Sequence, residues 1–326
     1  MSSRRAIAAV LLAGALLAGS CGGDDSPEAV KRPPEARAGQ FPSAAGKTLA
    51  ELRQALPRAG PVLAPTVTQF TPGDNRFGFG LFTASRAQIA NASAAVYVAP
   101  AGGGEAKGPY LARWESLEVK PQFRSQSSAA DPDAARSVYV TDLPFDKPGQ
   151  YNVLGIARLD GRLLAATSAL PQLNVTREDA VPGRGDKAPV IDTPTEAGAG
   201  GDIESIDTRV PPSTMHEENF ADVVGQKPVV LVFATPRLCQ SRVCGPVVDV
   251  AEQLKADYGD RAKFIHMEIY RENDVNKGFR PQVAAWRLPT EPWVFTIDRA
   301  GRVADRLEGA YSAGELEDAI QKALRG

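Results

Sequence analysis

Pro228-Val-Val-Leu-Val-Phe233 is a continuous run of apolar, mostly β-branched residues. A run without polar alternation fits a strand buried on both faces, as in a parallel sheet covered by helices. Beyond it, Val247, Val250, Ala251, Leu254 and Tyr258 recur at helical spacing. Lys263 to Tyr270 reads as a second strand and Trp293 to Asp298 as a third. Gly301-Arg-Val303 begins the strand paired with that third one. Ser312 and Glu315 cap a last helix whose apolar face is Leu316, Ala319, Ile320, Ala323 and Leu324. Upstream, Thr214 and Glu217 read as the cap of a short helix carrying Phe220, Val223 and Val224.

Cys239 and Cys244 fall between the first strand and the helix that follows it. Two residues five apart in a regular helix lie about 8–9 Å apart, beyond the roughly 4.4–6.8 Å that a disulfide allows between Cα atoms. They cannot both be helical. Pro246 suits a first helical turn, so Cys244 belongs at the helix start and Cys239 in the preceding loop. The N–H groups of that terminus would stabilise a thiolate on Cys244, with Arg237 and Arg242 adding to the effect.

The order β-α-β, β-hairpin, helix, with the cysteine pair at the helix start and Pro292 before the third strand, resembles the thioredoxin-like domains of membrane-anchored thiol–disulfide oxidoreductases. Gly185-Asp-Lys-Ala-Pro189 and Thr193-Pro194 are similar to the entry segment of exported proteins of this kind. The resemblance covers residues 178–326. It implies an α/β thioredoxin-like fold without a cofactor, and Pro292 as a cis-proline beside the cysteine pair. It also implies protein thiols and disulfides of the cell envelope as partners. Glu291 and Trp293 flank Pro292. Glu291 is placed to influence thiol ionisation, and Trp293 to shape a substrate groove or to pack at a strand start. The chain departs from the family's Cys-Gly-Pro-Cys. Four residues separate its cysteines, Leu238 stands where a Trp is usual, and Val232 stands where thioredoxin keeps a buried Asp. Cys244-Gly-Pro-Val247 matches the motif with its second cysteine replaced, whereas counting back from Tyr258 makes Cys244 the second cysteine. Both assignments of the nucleophile stay open.

At the other end, Arg4 and Arg5 precede the apolar run Ile7–Ala18. The run is shorter than the roughly 20 residues of a membrane span and reads as a signal-peptide h-region. Ala18-Gly-Ser-Cys21 resembles the lipobox of bacterial lipoproteins, with Ala18 where Leu is usual. The resemblance implies lipidation of Cys21 and anchoring on the extracytoplasmic face of the cell membrane. A lipidated Cys21 leaves Cys239 and Cys244 as the only possible intramolecular disulfide, in a compartment where disulfides persist.

Residues 22–60 read as a linker with one short helix, capped by Thr48 and Glu51. Residues 61–177 carry short alternating runs, and Asp160-Gly161 marks a hairpin. Pro148-Gly-Gln-Tyr151 resembles the corner before the penultimate strand of immunoglobulin-like domains, implying an antiparallel β-sandwich. The net charge of −2 gives no electrostatic reason to expect nucleic acid.

Three functions fit these residues. The first is thiol–disulfide exchange, and the second is a binding or scaffold lipoprotein with a static disulfide. The third is copper delivery with His266 as a further ligand, although a lone His in a core strand is more often a packing residue. No metal site is assigned, and His216, near a helix cap, reads as solvated. The Thr and Cys pattern of a peroxiredoxin is not found around Cys239.

Overall fold

The computed structural model describes residues 31–57, 59–170 and 172–326. The signal segment and Cys21 lie outside the described residues. Among those residues no helix is long and apolar enough to cross a membrane.

Helix α1 (Leu49–Gln54) opens with the expected reciprocal capping box between Thr48 and Glu51. Eight strands follow: β1 (Val62–Pro65), β2 (Gly73–Phe82), β3 (Ser93–Pro100), β4 (Lys107–Ser116), β5 (Ser137–Phe145), β6 (Gly149–Leu159), β7 (Arg162–Ser168) and β8 (Leu173–Val175). Helix α2 (Gln126–Ala130) sits in the long β4–β5 connection. Asp160 and Gly161 both take positive φ, 49° and 77°, as the tight β6–β7 hairpin requires. The Tyr151 hydroxyl donates to the Lys147 carbonyl at 3.0 Å, closing the corner before β6.

The strand order is β3-β4-β5-β2-β1-β7-β6-β8, with β3 also pairing β6, and an immunoglobulin-like sandwich is not shown by it. The sheet is continuous and barrel-like. Strand β4 bonds β3 through Lys107–Ala112 and β5 through Arg113–Ser116, carrying the hydrogen bonding round one corner. A short parallel pairing of β1 with β7 closes the other side. Phe70, Phe77, Phe79, Tyr139 and Phe145 fill the interior.

The second sheet has the order β10-β9-β11-β12, from β9 (Val229–Phe233), β10 (Lys263–Met267), β11 (Trp293–Ile297) and β12 (Val303–Glu308). Strands β9 and β10 are parallel, joined through helix α4 (Cys244–Tyr258). Strand β11 runs antiparallel to both β9 and β12. Every residue of β9 is buried. Val230 and Val232 meet α4 and helix α6 (Ala313–Arg325), while Val229, Leu231 and Phe233 meet α3 (Phe220–Val223) and α5 (Pro281–Ala285). This β-α-β, hairpin and helix order is that of a thioredoxin-like core. One local expectation fails. Asn219, not Thr214, caps α3, which begins only at Phe220, and both the N–H and the hydroxyl of Thr214 donate to the Glu252 carboxylate.

The two sheets are joined by partly buried polar contacts. Arg76 of β2 grips Glu315 of α6 with two bonds of 2.8 and 2.9 Å. Glu308 of β12 accepts from the Thr68 and Gln69 backbone N–H groups at 2.9 and 3.1 Å. Gly309 passes so close to Thr66 that a Cβ there would lie 1.9 Å from a backbone oxygen, and its φ is 72°.

Candidate functional site

Cys239 and Cys244 form a disulfide with Cα atoms 6.0 Å apart. Cys244 is the first residue of α4 and Cys239 lies in the loop before it. The two sulfurs differ in access. Cys244 is completely buried beneath Val230, Val232 and Tyr311, whereas Cys239 is half-buried. Only Cys239 opens on a groove of about 330 Å³, lined by Tyr270, Phe279, Leu288, Pro289 and Glu291.

The Glu291–Pro292 bond is cis. Glu291 Oε2 lies 3.8 Å from the Cys244 sulfur, and Oε1 accepts from the Tyr270 hydroxyl at 3.3 Å. Burial, reinforced by the nearby Glu268 carboxylate, raises the Glu291 carboxyl from 4.5 to about 7. Strand β9 carries Val232 and no acid, and Glu291 brings a carboxyl to the Cys244 sulfur from the bend before β11.

The other candidates differ in their surroundings. Arg242 and Arg237 line a second cleft beside Cys239, but the Arg242 charge is already paired. The Arg242 guanidinium bonds Asp131 at 2.6 Å and Asp133 at 2.9 Å in the β4–β5 connection, and the residue's φ is 57°. Arg237 is exposed, and its backbone N–H donates to Thr208 Oγ1 at 3.2 Å. Trp293 is 1% exposed, stacks on Phe295 at 5.7 Å and donates from Nε1 to Thr290. Of its two readings, packing at a strand start is the one its position allows.

Copper ligation by the cysteines with His266 is not assembled. His266 is fully buried, Nε2 meets the Ala234 carbonyl at 3.0 Å, and Nδ1 faces Asp207 at 3.3 Å. His216 corrects a second expectation. It is not solvated but 3% exposed, with Nε2 held 3.0 Å from Asp207.

The spacing of residues missed the β4–β5 connection beside the Cys239–Cys244 loop. Ser125 donates to Asp249 of α4 from both N–H and hydroxyl, each at 3.1 Å. The Ala135 N–H donates to the Arg242 carbonyl at 3.1 Å. Ser128 sits against Gly245, where a Cβ would come within 2.7 Å of its hydroxyl. The partners are separated by more than a hundred positions, and no local pattern announces them.

No protein-family model matches the chain, and no curated protein matches it. Among solved structures, one from Chlorobium tepidum named for thiol:disulfide interchange protein DsbE is 22% identical, with a TM-score of 0.33. It covers 44% of this chain and 99% of its own. A thioredoxin-family thiol:disulfide interchange protein from Chlorobium tepidum TLS is 18% identical with a TM-score of 0.30, covering 45% of this chain and 99% of its own.

Proposed function

We propose that this chain is a lipid-anchored, extracytoplasmic thiol–disulfide exchange protein that works through Cys239 and Cys244. The observation that carries the proposal is the asymmetry of the disulfide. One sulfur is reachable from a groove, and the other is buried at the N-terminus of a long helix. An incoming thiolate attacks Cys239 Sγ, forming a mixed disulfide and expelling Cys244 as a thiolate. The helix N-terminus stabilises that leaving group. A second thiol of the partner then resolves the mixed disulfide. Two electrons and two protons pass from the partner dithiol to the Cys239–Cys244 pair, and the reverse sequence oxidises the pair. The anchor rests on Arg4, Arg5, the Ile7–Ala18 run and Cys21.

The second reading is a static bridge. The clamping of Arg242 by Asp131 and Asp133 favours it, because it ties the loop down. A glutathione titration of the Cys239–Cys244 pair separates the two. Exchange predicts a reduction potential above about −300 mV, and a potential well below that value marks a structural bridge.

Glu291 sets the expected pH dependence. Below about pH 7 its carboxyl is neutral, and above that it places a negative charge 3.8 Å from Cys244. That charge opposes the Cys244 thiolate, raising its pKa by about one unit or more. The rate of attack on the disulfide, corrected for the attacking thiolate, is expected to fall about threefold between roughly pH 6 and 8. In Glu291→Gln this fall should vanish, and stopped-flow kinetics with a small thiol read it. Stability moves in the same sense. A carboxyl raised above 4.5 stabilises the fold fully below that pH, and the contribution is lost as pH rises through about 7.

A further inference from the structure

Asp207, His216 and His266 bring one ligand atom each to within 4.8 Å of one another, and all three are buried. We propose that these side chains form a zinc site behind the sheet, with Ser213 beside it, separate from the cysteine pair and independent of the exchange reading.

The convergence of buried donor atoms on one carboxylate oxygen carries the inference. Asp207 Oδ2 faces three nitrogens: His216 Nε2 at 3.0 Å, His266 Nδ1 at 3.3 Å and the Ser213 backbone N–H at 2.7 Å. A carboxylate oxygen offers about two lone-pair positions. The other oxygen, Oδ1, takes the Arg209 N–H at 2.7 Å. His266 Nε2 meets a carbonyl, which only accepts, so that nitrogen carries the proton. A metal-bound ring would keep that proton and offer its Nδ1 lone pair, which faces Asp207 Oδ2 and Ser213 Oγ, to the ion. A cation between the rings and the carboxylate relieves the crowding of three nitrogens on one oxygen and leaves Oδ2 with two partners, the metal and the Ser213 N–H.

The geometry suits the ion. Zinc bonds of about 2.0–2.2 Å place tetrahedral donors roughly 3.3 Å apart. The Asp207 contacts with the two rings are 3.0 and 3.3 Å. Ser213 Oγ lies 3.2 Å from His266 Nδ1, in reach of a fourth position. The Nε2–H bond of His266 to Ala234 is the outer contact that orients a metal-bound imidazole and selects its tautomer. Two imidazoles and one carboxylate favour zinc over calcium or magnesium. Because the site is closed, the ion would be taken up as the chain folds.

The test uses the full chain purified in detergent. Elemental analysis is expected to find one zinc per chain. After chelation, Co2+ should restore a visible tetrahedral absorption band, which Zn2+ then bleaches. His216→Gln should weaken zinc binding by more than the roughly 10- to 100-fold that loss of an outer contact causes. The Co2+ band of the parent chain decides the matter even where the variant fails to fold. A folded, metal-free chain that takes up neither ion overturns the proposal. So does a hydrogen-bonded His266 Nδ1–H proton resonance that persists with zinc in excess.

Discussion

Cys244→Ser is expected to accumulate mixed disulfides with envelope proteins through Cys239, and Cys239→Ser is expected to accumulate none. Both variants lose turnover entirely, because exchange needs two sulfurs. The asymmetry between them comes from burial. Cys244 is beneath the sheet and Tyr311, so an incoming sulfur cannot line up behind it. Cys239 borders the groove with Tyr270, Phe279 and Leu288. Phe279 is 52% exposed there, an apolar side chain in the path of a partner polypeptide. With Cys244 replaced, the mixed disulfide on Cys239 lacks the resolving thiol of its own chain and persists with partners that offer no second thiol. Non-reducing electrophoresis of each variant, with thiol blocking at lysis, reads the outcome. Trapping by Cys239→Ser in place of Cys244→Ser would reverse the assigned roles. Absence of trapping in both would leave the static bridge as the reading.

The C-terminal core was legible in the sequence because its signals are local. The Pro228–Phe233 run, the helical spacing after Cys244 and the Ser312–Glu315 box each act within one element, and the structure places β9, α4 and α6 on them. The Asp160-Gly161 hairpin was legible for the same reason. The closed pairing of the first sheet was not. The β4 crossing at Ala112–Arg113 and the parallel β1–β7 contact depend on neighbours far away in sequence. The site divides in the same way. The relative places of Cys239 and Cys244 follow from local backbone geometry, whereas that of Pro292 came from the family resemblance. The Arg242 guanidinium looked like a charge for the thiolate until Asp131 and Asp133 were found to hold it. His216 looked solvated because Thr214 and Glu217 mimic a helix cap, and its burial depends on Asp207, nine positions earlier.

Arg209→Leu is expected to produce the largest loss of stability of any single polar substitution at the junction of the two sheets. Arg209 and Asp249 form an ion pair at 2.9 Å, with side chains only 6% and 2% exposed. The guanidinium also donates to the Pro211 and Phe123 carbonyls, each at 2.8 Å. Phe123 belongs to the β4–β5 connection and Asp249 to α4, so one side chain ties that connection to the helix that begins with Cys244. Leucine leaves the Asp249 carboxylate buried without its cation and strands two carbonyls. Breaking a buried pair in this way costs about 3–5 kcal/mol. For an exposed pair such as Arg184–Asp305, where Arg184 is 66% exposed, the loss is expected to stay within about 1 kcal/mol. Urea unfolding reads the difference as a lower midpoint at unchanged slope. The joint replacement Arg209→Leu with Asp249→Leu should recover part of the loss, because no uncompensated charge remains in the interior. If the single and joint replacements cost the same, the penalty lies in the lost carbonyl contacts and not in the stranded charge.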